Sequence, residues 1–331
     1  MLFAERAGAD TLRLATWNVE LTRAGPGVLL RDLRRTDPQA EAVARIIADH
    51  APDILLLKGV DHDADLLALM ALQQRLAEAG HSLPHSYAPP PNSGLPTGHD
   101  LDGDGRLGEP EDAQGFGRFR GEGGMALLSR YPIQTSRDLS GFLWADLPGA
   151  LLHDDAGRPL FAAPVLRDLR LASVAHWQVT VAAPGGAVTL LAFHAGPPVF
   201  DGPEDRNGRR NHDQLMFWQH VLAGALGPMP QTRFALIGDA NQDPQRGEGR
   251  KAAIRTLLGD PRLQDPHPSH SDGKTTTVDW PQTGPMRVDY ILPSRDWQVA
   301  GSGVYWPDTG PEADRAQAAS RHHLVWVDLR D

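Results

Sequence analysis

Apolar and polar positions along the chain switch between a period of two and a period near 3.6, and each switch marks a strand giving way to a helix or the reverse. Residues 11–18 place Leu12, Leu14 and Thr16 on one face and Arg13, Ala15 and Trp17 on the other, a strand that ends by presenting Asn18. Glu20 follows on the side of Asn18. Asp37 and Pro38 supply an N-cap and a first-turn residue for a helix whose Val43, Ile46 and Ile47 form an apolar stripe. Pro52 ends it, 53–57 reads as a second, buried strand, and another helix covers about 65–80. Further along, strands are predicted over 125–128, 170–181, 187–194, 234–238, 286–292 and 320–328, with a further helix over 248–258. Asn211 with Gln214 three residues on reads as a capping-box variant opening a helix that turns Leu215, Trp218 and Leu222 inward. Strands and helices joined by short connections are the α/β signature. No repeat or linker divides the 331 residues, so one domain spanning 1–331 is expected.

From 84 to 121 the periodicity lapses into Pro, Gly and polar residues, and a long loop of this kind inside a compact domain is usually functional. Residues 100–111 of this insertion fill a calcium-loop template: Asp100, Asp102 and Asp104 at the first three ligand positions, Gly105 at the turn, Leu107 at the apolar position and Glu111 at the closing one. With the Arg106 carbonyl these groups supply most of the hard oxygens a calcium ion requires. Pro110 and the Gly/Pro flanks argue against a helix-loop-helix hand, so the expectation is a lone structural calcium stapling the insertion; a solvated acidic loop is the plainer reading.

Composition narrows the partners. With 32 basic against 42 acidic side chains the net charge is −10, which opposes loose adhesion to nucleic acid or an anionic membrane. Lysine occurs only at 58, 251 and 274, so arginine carries nearly all the cationic charge. The absence of cysteine excludes disulfides, thiolate metal sites and a cysteine nucleophile. No apolar run approaches transmembrane length, and residues 1–10 lack the order of a signal peptide. Calcium loops of this class are most often saturated outside the cytosol, which tilts the expected location to the periplasm or beyond.

Candidate chemistry gathers where buried strands end: Asn18, His194, Asp239 with Asn241, Asp289 and His322. Asp239 and Asn241 stand two apart, so extended backbone would aim a carboxylate and an amide at one site, whereas an Asx turn would account for them without chemistry. A histidine at a strand end is commonly satisfied by a backbone carbonyl, and only the convergence of several polar groups points to catalysis. Arg206, Arg209 and Arg210 near a helix N-terminus make an anion-binding corner or, with Glu204 and Asp205, a solvated charge cluster.

In order and spacing these residues resemble the endonuclease/exonuclease/phosphatase superfamily over nearly the whole chain. Residues 16–18 look like its opening strand motif, 125–132 like its internal strand, 193–194 like its strand-end histidine, 238–241 like its core signature, 287–290 like its penultimate strand and 320–322 like its closing Ser-Asp-His. The resemblance implies a four-layer α/β sandwich, two mixed β-sheets packed face to face with helices outside, that hydrolyses a phosphoester by in-line attack of water. Asp239 would orient or deprotonate the water, Asn241 would donate to the phosphoryl oxygens, and His322, held by Asp289, would stabilise the phosphate or pass a proton. His194 would serve the leaving group. Phosphoryl transfer rests mainly on positioned donors and cationic charge, as this set provides. The implied partner is a phosphate-containing small molecule or a lipid head group.

Two departures stand out. The family's metal-binding glutamate is replaced by Gly59, and the aspartate before its final histidine by Arg321. The usual magnesium or manganese site is therefore expected to be weakened or absent. Asp61 or Glu20 could return a carboxylate, Arg321 could act instead as a phosphate clamp, or the fold could have kept its shape and lost hydrolysis. The leading expectation is a phosphoesterase-type hydrolase, and the alternative a catalytically silent protein that holds an anionic or phosphorylated ligand.

Overall fold

A computed structural model describes residues 11–331; residues 1–10, and with them the reading of a missing signal peptide, lie outside the described residues. The chain begins with β1 (Leu12–Leu21), α1 (Val28–Leu33), α2 (Pro38–His50), β2 (Ile54–Val60), α3 (Leu67–Glu78) and β3 (His85–Tyr87). It continues through β4 (Gly124–Ser129), β5 (Ile133–Asp138), α4 (Ala163–Leu166), β6 (Ala175–Ala183), β7 (Gly186–His194) and α5 (Arg206–Leu222). The last third holds β8 (Phe234–Asp239), α6 (Ala252–Leu258), β9 (Val278–Trp280), β10 (Gly284–Met286), β11 (Asp289–Pro293), β12 (Gln298–Tyr305), α7 (Gly310–Ala319) and β13 (Leu324–Arg330).

The strands form two mixed sheets, six-stranded in the order β12-β13-β1-β2-β4-β3 and five-stranded in the order β11-β8-β7-β6-β5, with β9 and β10 a separate hairpin. Period-two alternation decides the layering. Leu12, Leu14, Ile54, Leu56 and Val327 of the larger sheet meet Trp177, Val179, Leu190, Ile237 and Ile291 of the smaller in one continuous apolar core. The opposite face of the larger sheet packs under α1, α2 and α3 through Val43, Ile46, Ile47, Leu69 and Leu72. Leu191, Phe193 and Leu236 on the outer face of the smaller sheet pack against Leu215, Phe217 and Trp218 of α5 and Ile254 of α6. The result is the expected four-layer sandwich. As anticipated, the Asp37 carboxylate caps α2 by accepting from the Ala40 N–H.

Local readings differ in instructive places. The strand expected over 286–292 is broken, with Arg287 and Val288 separating β10 from β11. α5 starts at Arg206, which puts Asn211 and Gln214 inside the helix and not at its cap. There they serve as cross-ties. The Asn211 amide donates to the carbonyls of Gly196 and Ala240, and Gln214 Oε1 accepts from the Ser173 and Gly196 N–H groups, so α5 grips the loops leaving β7 and β8.

Candidate functional site

Sheet register builds the site. In the smaller sheet Asp239 at the end of β8 lies opposite His194 of β7 on one side and Asp289 of β11 on the other. In the larger sheet Asn18 of β1 lies opposite Lys58 of β2, and His322 stands just before β13. Because the sheets pack face to face, these strand ends meet at one rim. Asp239 Oδ2 is the hub: Asn18 Nδ2 donates to it at 3.3 Å, His194 Nε2 lies 3.7 Å away and His322 Nδ1 3.9 Å away. His322 Nδ1 also faces Asp289 Oδ2 at 2.9 Å, and the Lys58 ammonium donates to Asp289 Oδ1 at 2.7 Å and to Thr16 Oγ1 at 2.8 Å. The side chains of Lys58, Asp239 and Asp289 are fully buried.

The two histidines are driven apart electrostatically. Burial pulls His194 down to about 4 against the weaker pull of Asp239, so its imidazole is neutral at physiological pH. Burial also pulls on His322, but Asp289, by charge and hydrogen bond, and then Asp239 and Glu20 together carry it above its ordinary value. Burial alone would raise Asp289, yet Lys58 and His322 hold it well below the usual carboxylate range. One neutral imidazole and one that favours its cationic form thus flank a single carboxylate oxygen, the kind of divergence that separates acid and base roles.

Other predicted residues fall differently. Asn241 is in the left-handed region at φ 48°, its N–H donates to Asp239 Oδ1 and its side-chain amide to the Ala195 carbonyl, so the Asx turn exists and Asn241 does not continue the strand geometry assumed for it. Glu20 and Arg321 meet each other: Arg321 Nε donates to Glu20 Oε1 at 2.9 Å and its backbone N–H to Oε2 at 2.8 Å. The guanidinium lies 4.6 Å from the Trp280 ring centre. Burial raises Glu20, but these Arg321 bonds leave it below its ordinary value. Asp61 does not share the face of the cluster. The positive φ of Gly59 shifts the register between Lys58 and Val60, and both Asp61 oxygens accept backbone N–H groups, from Arg23 and Gly123.

The expected arginine corner is a set of struts. Arg210 donates to the carbonyls of Gln114, Arg170 and Leu171, Arg209 to the Glu204 carbonyl and Asp155, and Arg206 to the Leu101 carbonyl. Burial moves Arg210 down to about 9. In the acidic loop Asp100 accepts from Gly103 and Gly105, and it is Asp112, not Glu111, whose carboxylate comes within 4.8 Å of Asp100 and Asp102. Asp104 accepts the Arg106 N–H, and Glu111 is exposed on the wall of a neighbouring cavity.

That cavity, of about 700 Å³, opens beside the cluster, with His194 on its wall. Trp144, Phe161 and Phe200 with Leu101 and Phe116 of the insertion give it a mainly apolar lining. Neither the cavity nor the part played by Lys58 was foreseen from sequence. The one signal was a lysine inside an otherwise apolar strand, whose seven residues are all buried.

Comparison with known proteins agrees with this architecture. The sequence pattern of the Endonuclease/Exonuclease/phosphatase family matches residues 15–322. The chain belongs to that family. No curated protein sequence matches it. An endonuclease/exonuclease/phosphatase from Beutenbergia cavernae DSM 12333 superposes with a TM-score of 0.61 at 20% identity, over 97% of this chain and 72% of that one. A family protein from Leptotrichia buccalis C-1013-b gives 0.56 at 18% identity, over 97% and 100% of the two chains. The human nocturnin catalytic domain with bound sulfate anion gives 0.52 at 17% identity, over 97% and 93%. At these identities the likeness is one of fold.

Endonuclease/exonuclease/phosphatase proteins usually use divalent metals, and Asp239, Asp289 and His322 place ligand atoms within 4.8 Å of one another. The donor set nevertheless does not fit a divalent ion. Asp289 already carries Lys58 on one oxygen and His322 on the other. A side chain at Gly59 would put its Cβ 2.5 Å from Asn18 Oδ1, so no glutamate fits there without displacing Asn18. Glu20 is closed by Arg321. Two of the compensations expected from sequence, a carboxylate from Glu20 and a clamp from Arg321, are spent on each other.

Proposed function

We propose that this protein hydrolyses a phosphoester with an activated water. The observation that carries the reading is the convergence of Asn18, His194 and His322 on one buried oxygen of Asp239. Asp239 orients the water and accepts its proton, and Asn18 holds that carboxylate in place. His322, cationic to higher pH than an ordinary histidine, offsets charge on the phosphoryl oxygens, with Asp289 fixing its ring. His194, neutral because it is buried, offers a hydrogen bond to the leaving oxygen. The human nocturnin catalytic domain, which shares the fold, has a bound sulfate anion, tetrahedral like phosphate, in keeping with a phosphate ligand for this fold.

The cavity on the far side of His194 suits the alcohol part of the ester, and its aromatic walls favour a bulky apolar group. The substrate class is accordingly a small phosphodiester or phosphomonoester, or a lipid head group, with one apolar substituent; the net charge of −10 opposes a nucleic acid. Described residues include no helix long and apolar enough to cross a membrane. We also propose that a calcium ion seats at Asp100, Asp102 and Asp112 and braces the insertion.

The decisive test is turnover of a panel of chromogenic phosphodiesters and phosphomonoesters by wild type and Asp239→Asn. Loss of the base should cost about 10²–10⁴-fold in rate. Background rates in both proteins across all conditions would leave the silent ligand-binding reading, which Gly59 favours, as the better one.

A further inference from the structure

We infer that Lys58 is an internal counter-ion occupying the electrostatic place of the family's divalent metal, so that this cleft handles a phosphate without a metal ion. The inference rests on the phosphoester reading for its substrate but on separate observations for its charge.

Lys58 sits in β2, immediately before the glycine that replaces the metal-binding carboxylate. Its side chain is fully buried, as is that of Asp289, and the two are joined at 2.7 Å. A buried ammonium persists only when its charge and its N–H groups are answered, and here Asp289 and the Thr16 hydroxyl answer them. The pairing crosses from one sheet to the other, so the position of the charge is set by the sandwich core and not by a flexible surface chain. Lysine presents a compact point charge, closer to a metal ion in kind than a guanidinium would be.

The count of charges at the rim shows the consequence. Two buried carboxylates, Asp239 and Asp289, stand against one fixed ammonium and His322. A divalent ion bound to Asp289 would approach Lys58 across a single carboxylate, and like charges at such range are strongly disfavoured where little water penetrates. With Asp289 engaged, the remaining donors are Asn18 and the single carboxylate of Asp239, so water would have to fill most of the coordination shell of a hard cation. Removing the ammonium should therefore free Asp289 and create a divalent site from Asp239, Asp289 and His322, whose ligand atoms are already close enough.

The experiment titrates Mn²⁺ into the full-length protein by calorimetry and thermal shift, in an Asp102→Asn background so that the acidic loop does not contribute. The parent should show no Mn²⁺ binding that depends on Asp239. Lys58→Met, and independently Lys58→Gln, which keeps a donor toward Asp289, should gain Mn²⁺ affinity by at least about tenfold and a Mn²⁺-dependent rise in thermal midpoint. Parent turnover of the active ester should be equal in EDTA and in Mn²⁺. Mn²⁺ binding by the parent that Asp239→Asn abolishes, or Mn²⁺-dependent turnover, overturns the inference while leaving the hydrolase reading intact. Failure of both lysine variants to gain Mn²⁺ also overturns it. An absence of turnover everywhere, with Mn²⁺ bound only by the lysine variants, removes the hydrolase reading and leaves Lys58 as the counter-ion.

Discussion

At the residue scale, burial sets the chemistry of the histidines, and the same burial sets how the protein responds to acid. His176 lies wholly inside the protein against Phe217 and Trp218, with ring centres 4.7 and 5.2 Å away. Neither of its ring nitrogens has a hydrogen-bond partner among the described residues, and burial moves it down to about 3. His194 moves to about 4 and His323 to about 3 for the same reason. A histidine whose folded value lies below 6.5 binds fewer protons folded than unfolded between the two values, so stability falls as pH drops through that window. His322 has the opposite sign: its contribution is complete below 6.5 and fades as pH rises through its elevated folded value. His176 packs against α5 through Phe217 and Trp218 and takes no part in the cluster around Asp239, so it isolates the first effect. His176→Phe should show a flatter acid limb, the stability gap to wild type changing by up to about 1.4 kcal/mol per pH unit between pH 6.5 and 3. Urea unfolding at several pH values measures it, and parallel curves for the two proteins would refute it.

At the element scale, legibility from sequence follows position in a sheet. Interior strands such as β2 and β8, buried at every residue, stand out as apolar runs. β3, β5 and β12 were not foreseen, and all three are edge strands. In β5 the pattern is Ile-Gln-Thr-Ser-Arg-Asp with five of six residues exposed, which leaves no apolar face for periodicity to register. The acidic loop shows the same limit from the other side. Template spacing placed Glu111 at the closing position, but the short helical turn at Pro110–Asp112 turns Asp112 inward, where it accepts the N–H groups of Leu101 and Gly108. The loop is thus partly stapled by its own backbone, and calcium would add to that staple by drawing Asp100, Asp102 and Asp112 together. Millimolar calcium should raise the thermal midpoint and a chelator lower it, with both responses lost in Asp102→Ala. A midpoint indifferent to calcium in wild type would mean that the backbone bonds alone hold the loop.

At the scale of the whole molecule, the residues proposed to bear chemistry were legible because they lie at or beside strand ends, and those ends gather at one rim of the sandwich. What joins them was not, because Lys58 reaches Asp289 only once the two sheets are stacked. The same stacking bears on how the proposed substrate would be recognised. The arginines that sequence suggested for anion capture are committed to carbonyls and carboxylates, and the surface as a whole is acidic, so long-range attraction of a phosphate is weak. Under the phosphoester reading, the apolar cavity beside His194 should then supply most of the binding energy. For a series of alkyl phosphodiesters of increasing chain length, kcat/KM should climb by up to about 0.8 kcal/mol per added methylene until the cavity is filled. Phe200, 87% exposed at the cavity mouth, contributes to that grip without supporting the core, so Phe200→Ser should flatten the climb by raising KM for the longer esters with little change in kcat. The contribution is hydrophobic, so the slope should hardly respond to ionic strength between about 50 and 200 mM, whereas a protein using several phosphate contacts to nucleic acid loses orders of magnitude over that range. A slope of zero with chain length, or a steep salt dependence, would place recognition on charge and remove the cavity from the substrate's path.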